Sequence, residues 1–265
     1  MAGFEAKTGS WKGFALVLVG LAALIALFFL VKRMESSASS DKFMKIRNTM
    51  NAVSSYQLTV RAESIVGSAS SSQLLTTYSR DGYSRLDNIV QMYGNNVSET
   101  RIYVTPAGAA FLCKRPLENW ACLPEENLTA GDDKLLILLA RRGATEKDAA
   151  NEVNARLANS GIINFRGSPK NKTIAGRTCN ELDYEIRLDL VSKDDLEYLG
   201  SFYMIASLTD KAEVNTCLDA ESGLPLHTLI TAETRDKKSG ISIEMETVSI
   251  EFGNDIPDSV FELPD

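Results

Sequence analysis

The run Gly13 to Val31, GFALVLVGLAALIALFFLV, is 19 residues long and carries no charge. A helix rises about 1.5 Å per residue, so roughly 20 apolar residues cross a hydrocarbon core of about 30 Å. The run therefore predicts a single transmembrane helix. It divides the chain into a tail at 1–12, the span at 13–31, a linker at 32–40 and a domain at 41–265. A cleaved signal peptide is the rival reading. Its apolar core is about 7–15 residues, with a small-residue cleavage site directly behind. Here Lys32, Arg33, Met34 and Glu35 follow the run, so an uncleaved anchor fits better.

The side of the membrane is argued from cysteines and charges, which disagree. The four cysteines, Cys113, Cys122, Cys179 and Cys217, form no CxxC pair of the kind zinc sites use. Their even number, with N-x-[ST] sequons at Asn96, Asn127 and Asn171, favours structural disulfides in an oxidising compartment. Positive residues should collect on the cytoplasmic side. Lys7 and Lys12 precede the run, whereas Lys32, Arg33, Lys42, Lys45 and Arg47 follow it, which would put the domain inside. A tail of 12 residues offers few charges to compare, so the expectation is a cytoplasmic N-terminus and an extracytoplasmic domain. Three disulfide pairings are open. Proximity in sequence selects Cys113 with Cys122 and Cys179 with Cys217.

A net charge of −7 lacks the basic stripe of a nucleic-acid binder, and 44% hydrophobic residues suffice for a real core. Phe43, Ile46, Met50 and Val53 recur at helical spacing, so a helix is expected over Asp41–Val53, capped by Ser40. Tyr56, Leu58, Val60 and Ala62 alternate with polar residues, the pattern of a half-buried strand. Leu74–Arg80 and Tyr83–Met92 flank Asp81-Gly82, a hairpin signal. Arg101–Val104 and Ala109–Cys113 continue the meander around Pro106-Ala107-Gly108. Helices are expected at Lys134–Ala140 and from Thr145 to Gly161.

The strands then resume at Ile162–Phe165, followed by a polar loop, Arg166–Lys172, and a half-buried strand at Glu181–Leu188. Ser192 with Asp195 suits the cap of a short helix through Tyr203, although Phe202–Leu208 reads as strand equally well. Glu213–Asp219, Pro225–Thr234 and Ile241–Phe252 complete the sheet. The apolar phase of the last strand changes between Met245 and Val248, which calls for a β-bulge near Glu246-Thr247.

No motif carries chemistry. His227, the one histidine, lies in a strand-like segment, and G-x-S-x-G, P-loop and G-x-G-x-x-G patterns are absent. The acidic pairs Glu125-Glu126, Asp132-Asp133 and Asp194-Asp195 sit at turns or helix starts, where they serve as caps. No enzymatic activity, cofactor or metal is expected.

Met50-Asn51-Ala52-Val53-Ser54-Ser55-Tyr56 resembles the helix-to-strand junction of the LolA/LolB fold, which includes lipoprotein carriers and the LppX/LprG-type lipid-binding lipoproteins. The segments Cys217–Leu226 and Phe252–Pro264 are similar to its late hairpin and its close. The resemblance implies an α+β fold: a curved antiparallel sheet, an incomplete barrel, with helices packed on its concave face. It also implies a cavity for acyl chains. The membrane span and the four cysteines depart from the soluble carriers. A membrane-anchored, extracytoplasmic module that binds a lipid or lipidated protein is therefore expected. Its candidate contacts are Leu135, Leu136, Leu138 and Leu139 with Tyr184 and Ile186. The alternative is a structural or interaction subunit of a cell-envelope complex, with an envelope protein as partner and no small ligand.

Overall fold

The computed structural model describes residues 41–46, 49, 53–92, 95–115, 119–128, 136–137, 140–141, 147–199, 201–253 and 255–264. The apolar run at 13–31 and its linker lie outside the described residues, as do Leu135, Leu138, Leu139 and Asp132-Asp133. Among the described residues no helix is long and apolar enough to cross a membrane.

The alternating segments pair into one antiparallel sheet. Its strands are β1 (Ser55–Val66), β2 (Ala69–Arg80), β3 (Tyr83–Met92), β4 (Asn95–Val104), β5 (Ala110–Lys114), β6 (Ala121–Pro124), β7 (Ile163–Phe165), β8 (Lys170–Ile174), β9 (Arg177–Arg187), β10 (Lys211–Asp219), β11 (Pro225–Glu233) and β12 (Gly240–Phe252). Their spatial order is β6-β5-β4-β3-β2-β1-β12-β11-β10-β9-β7, with β8 paired to β9. The sheet is open and curved. One half is a meander from the first part of the chain and the other a meander from the last. They meet at a single seam, β1 against β12, where Tyr56 faces Phe252 and Val66 faces Ile241.

Local chemistry explains the turns. Asp81 and Gly82 both take positive φ (52° and 82°), as a two-residue hairpin turn twisted with its strands requires. The expected bulge is present. Val60 pairs with Thr247 but Thr59 pairs with Ser249, so Val248 is the extra residue, and it turns outward, 52% exposed. That one residue keeps Met245 and Ile250 on the same face of the sheet. Ser192 caps the short helix Lys193–Leu196 by accepting from the Asp195 N–H at 3.1 Å.

Two segments differ from the sequence expectation. Lys170–Lys172, read as loop, is the start of β8, because Lys172 and Asn171 find partners in Cys179 and Asn180. The ambiguous Phe202–Leu208 region contains a helix, Ser201–Ile205, whose Ile205 is buried.

Cross-strand register places both main apolar clusters on one face. The first joins Leu182, Ile186, Val214, Ile230, Ile241 and Ile243 to Phe43, Ile46, Val153 and Leu157 from the helical segments. The second joins Leu86, Ile102, Val104, Ala110 and Leu112 to Leu128, Ile137 and Ala140. Helical residues thus cover both halves of the sheet from the same side. The opposite face is laced with ion pairs, such as Arg166 to Glu185 and Glu213 and Arg85 to Asp87.

The chain ends as a strap. After β12, Arg80 donates to the Ile256 carbonyl and to Asp258, and Arg85 donates to the Val260 carbonyl at 3.1 Å. Phe261 lies 5.7 Å from the Tyr83 ring and 5.3 Å from the Arg80 guanidinium. Removing these bonds leaves a carbonyl without its donor and strips the apolar contact. We expect Arg80→Ala to cost about 1–2 kcal/mol, read as a lower urea midpoint at unchanged slope.

Candidate functional site

The helix-bearing face differs along its length. At the ends it is core: Ile186 is 1% exposed and Ile102 is fully buried. In the middle, on β1, β2, β3 and β12, the residues of this face are Val60, Ala62, Ser64, Ser71, Gln73, Leu75, Val90 and Met245. All of them are half-buried. Register brings them side by side: Ala62 lies between Met245 and Gln73, Ser64 between Ile243 and Ser71, and Val60 between Thr247 and Leu75. These side chains form a half-buried strip, here termed the trough, between two packed clusters. The trough floor is not wholly apolar. Asn88, opposite Leu75 and Thr100, is 6% exposed, and its Oδ1 has no hydrogen-bond partner among the described residues.

The trough closes at one end on a third, small cluster, Tyr56, Leu58 and Leu224, with Val53, Val60 and Ile250 packed against it. Burial pushes the Tyr56 hydroxyl up to about 12, opposed in part by its hydrogen bond with Ser79. Tyr56 is therefore neutral at any physiological pH and serves as a capped hydrophobic wall. Leu224 is held there by the β10–β11 turn. In that turn Asp219, 1% exposed, accepts from Arg177 Nε and Nη2 at 3.0 and 2.9 Å. It also accepts from the Ser222 N–H and hydroxyl at 2.9 and 2.7 Å. Burial disfavours the charge, but the Arg177 guanidinium and the Ser222 donors outweigh it and hold Asp219 below the usual carboxylate range. Arg177 in turn lies over the Phe252 ring at 5.5 Å, at the end of the seam.

The disulfides brace both halves. Cys113 bonds Cys122, its direct partner across β5 and β6, and Cys179 bonds Cys217 across β9 and β10. Among the described residues no cysteine is free. This is the pairing that proximity in sequence selects. The sequon residues Asn96, Asn127 and Asn171 are all exposed.

Of the candidate ligand contacts, the three described residues fall on two clusters. Tyr184 and Ile186 belong to the first cluster, where Tyr184 stacks 5.6 Å from Phe165 and 6.2 Å from Phe43. Leu136 packs on the second cluster, on the other side of the trough. The residues of the trough itself, Ala62, Gln73, Asn88 and Met245, are not among the candidate contacts that the sequence offers. Their one signal is the unusually small and polar inner face of β1 and β2, which becomes visible only once register is known.

His227 lies on the opposite face, with Nε2 3.0 Å from Glu244 Oε1. On that face a cleft of about 700 Å³ lies over β9, β10 and β11. Its charges answer one another: Arg187 bonds Asp189, Lys211 bonds Glu185 and Arg235 bonds Asp210. Among the described residues no group of three or more His, Cys, Asp or Glu side chains is placed to hold a metal ion.

No family model and no curated protein matches the chain. Solved structures do. The Mycobacterium tuberculosis lipoprotein LppX aligns over 82% of this chain and 99% of its own, at 9% identity and a TM-score of 0.45. MucB of Pseudomonas aeruginosa, solved in complex with MucA, aligns over 85% of this chain and 60% of that one, at 13% identity and a TM-score of 0.43.

Proposed function

We infer that the chain is a membrane-anchored, extracytoplasmic module that binds a lipid or a lipid-modified protein in the trough of its sheet, and that it catalyses no reaction. The observation that carries this reading is the division of one sheet face into two packed clusters, with half-buried Ala62, Ser64, Ser71 and Gln73 between them and Met245 and Leu75 packed on the cluster at either side. An acyl chain laid along these residues gains about 25 cal/mol for each Å² of apolar surface removed from water. In this reading the sheet is the incomplete barrel, and its helices lie on the concave side. Gly13–Val31 spans the bilayer, and the two disulfides suit the oxidising side.

The full chain, purified in detergent and examined by native mass spectrometry, is expected to retain a lipid adduct after the detergent is stripped. Ala62→Trp fills the trough between Met245 and Gln73 and is expected to abolish the adduct. No adduct on the parent chain, or an adduct unaffected by this substitution, refutes the reading. The compartment is tested separately. Thiols alkylated in intact cells only after reduction support the outside location, and alkylation without reductant argues against it.

A further inference from the structure

The two disulfides differ in what surrounds them. Cys113 and Cys122 are direct partners across β5 and β6, so their bond runs from strand to strand. β6 ends the sheet, and past Cys122 no further strand lies among the described residues. Cys113 is 0% exposed, whereas Cys122 is half-buried and its neighbours Ala121 and Leu123 are exposed. Cys179 and Cys217 are both buried, on strands that have partners on either flank. A thiolate opens a disulfide by in-line attack on one sulfur, and the other sulfur leaves. For Cys113–Cys122 the line through the bond leaves the sheet past Cys122, on its open flank. For Cys179–Cys217 that line runs into Lys172 of β8 on one side and His227 of β11 on the other, the register partners of the two cysteines.

The charges differ as well. Arg101 on β4 is the register partner of Cys113 on its other side. Side chains so paired share a face, with Cβ atoms about 4.5–5.5 Å apart. Arg101 is one of three guanidiniums that share two carboxylates. Arg85 holds Asp87 by two bonds, at 2.7 and 2.6 Å, while Arg101 and Arg115 approach Glu99 at 3.3 and 3.6 Å. The Arg101 Nε is buried without a hydrogen-bond partner, and the Asp87 carboxylate lies 3.8 Å from it. Trp120, just ahead of β6, lies over the Arg101 guanidinium at 4.1 Å. A cation therefore stands beside Cys113. Across β9 and β10, by contrast, the register partners are carboxylates: Glu181 faces Cys217 and Asp219 faces Cys179. Their cations, Lys172 and Arg177, are paired with them.

We propose that Cys113–Cys122 is a thiol–disulfide exchange site for a dithiol reductant, with Cys122 as the sulfur attacked and Cys113 as the leaving thiolate beside Arg101. A nearby cation stabilises a thiolate, and a better leaving thiolate speeds exchange. The Cys179–Cys217 bond, buried and faced by carboxylates, stays closed under the same reductant.

In the first step one thiolate of the reductant bonds Cys122 Sγ, and the electron pair of the broken bond goes to Cys113 Sγ. In the second, the other thiolate of the reductant attacks the mixed disulfide and expels Cys122. The reductant leaves as its own disulfide, having given up two electrons and two protons, and both cysteines end as thiols. Reduction leaves β6 held by its pairing with β5 and by the ion pair of Glu125 with Arg141.

The test treats the folded full chain, purified in detergent, with dithiothreitol. The reaction is quenched at intervals, and free thiols are alkylated and mapped by peptide mass spectrometry. Cys113 and Cys122 are expected to appear as thiols roughly tenfold faster, or more, than Cys179 and Cys217. With glutathione in place of the dithiol, the mixed disulfide is expected on Cys122 and the alkylated thiol on Cys113. Arg101→Gln is expected to slow the opening roughly threefold, and Arg101→Lys, which keeps the charge, to restore it. Equal rates at the two bonds, a glutathione adduct on Cys113, or an opening that Arg101→Gln does not slow overturns the proposal. Arg101→Lys as slow as Arg101→Gln overturns the role given to the charge.

Discussion

Asp219→Ala is expected to be among the most damaging single substitutions in this chain, at about 3 kcal/mol or more. The carboxylate is buried and accepts four hydrogen bonds, two from Arg177 and two from Ser222. Removing it leaves the Arg177 guanidinium only the exposed Glu221, 3.7 Å away, and unfastens the turn that holds Leu224 in the core. Leu224 itself is 0% exposed. The pH dependence has a definite sign. Asp219 is depressed in the folded state, so its stabilisation is fully present above about pH 5. It is lost as the pH falls through the unfolded value, about 3.9, toward the lower folded one. Thermal unfolding followed from pH 7 to pH 3 should show a drop in the parent chain that is smaller in Asp219→Asn, which is destabilised throughout. An equal drop in both chains would refute the assignment.

The second large effect is the loss of the Cys179–Cys217 bond. It closes a loop of separation 38, for which chain-entropy arguments give about 4 kcal/mol. The Cys113–Cys122 bond, of separation 9, is worth less, about 2.7 kcal/mol on the same basis. Cys179→Ala with Cys217→Ala is therefore expected to lower the urea midpoint more than Cys113→Ala with Cys122→Ala. The reverse order would show that the entropic account fails here. Asp219 pairs directly with Cys179 across β9 and β10, so the first two predictions concern one corner of the fold. Combining them should give a loss different from the sum, since neighbouring sites couple.

Much of this architecture is legible in the residues, and the limits have physical reasons. Tyr83–Met92 is a strand in both readings because alternation and the Asp81-Gly82 turn agree. The bulge was readable because a phase change in β12 must be absorbed somewhere, and Val248 absorbs it. β8 was missed because an exposed edge strand such as Lys170–Ile174 needs no apolar face and so shows no alternation. The trough was missed for a related reason. A search for large apolar residues finds Ile186, which is buried, and Tyr184, which packs half-buried beside it, whereas the strip between the clusters includes small residues such as Ala62 and Ser64. Small residues carry no signal until their neighbours in space are known. The Asp219 cluster was equally hidden: Asp219 and Ser222 lie near each other in sequence, but Arg177 joins them only through the pairing of β9 with β10.

The seam between β1 and β12 has a consequence for synthesis. Tyr56 is made well before its partner Phe252. Until the ribosome has delivered the final strand, the first meander keeps one bare strand flank, whose unmet amide and carbonyl groups invite pairing with any passing chain. A nascent chain of this kind calls for a holding factor, and a stop between β6 and β12 would yield a sticky half-sheet rather than a smaller stable protein.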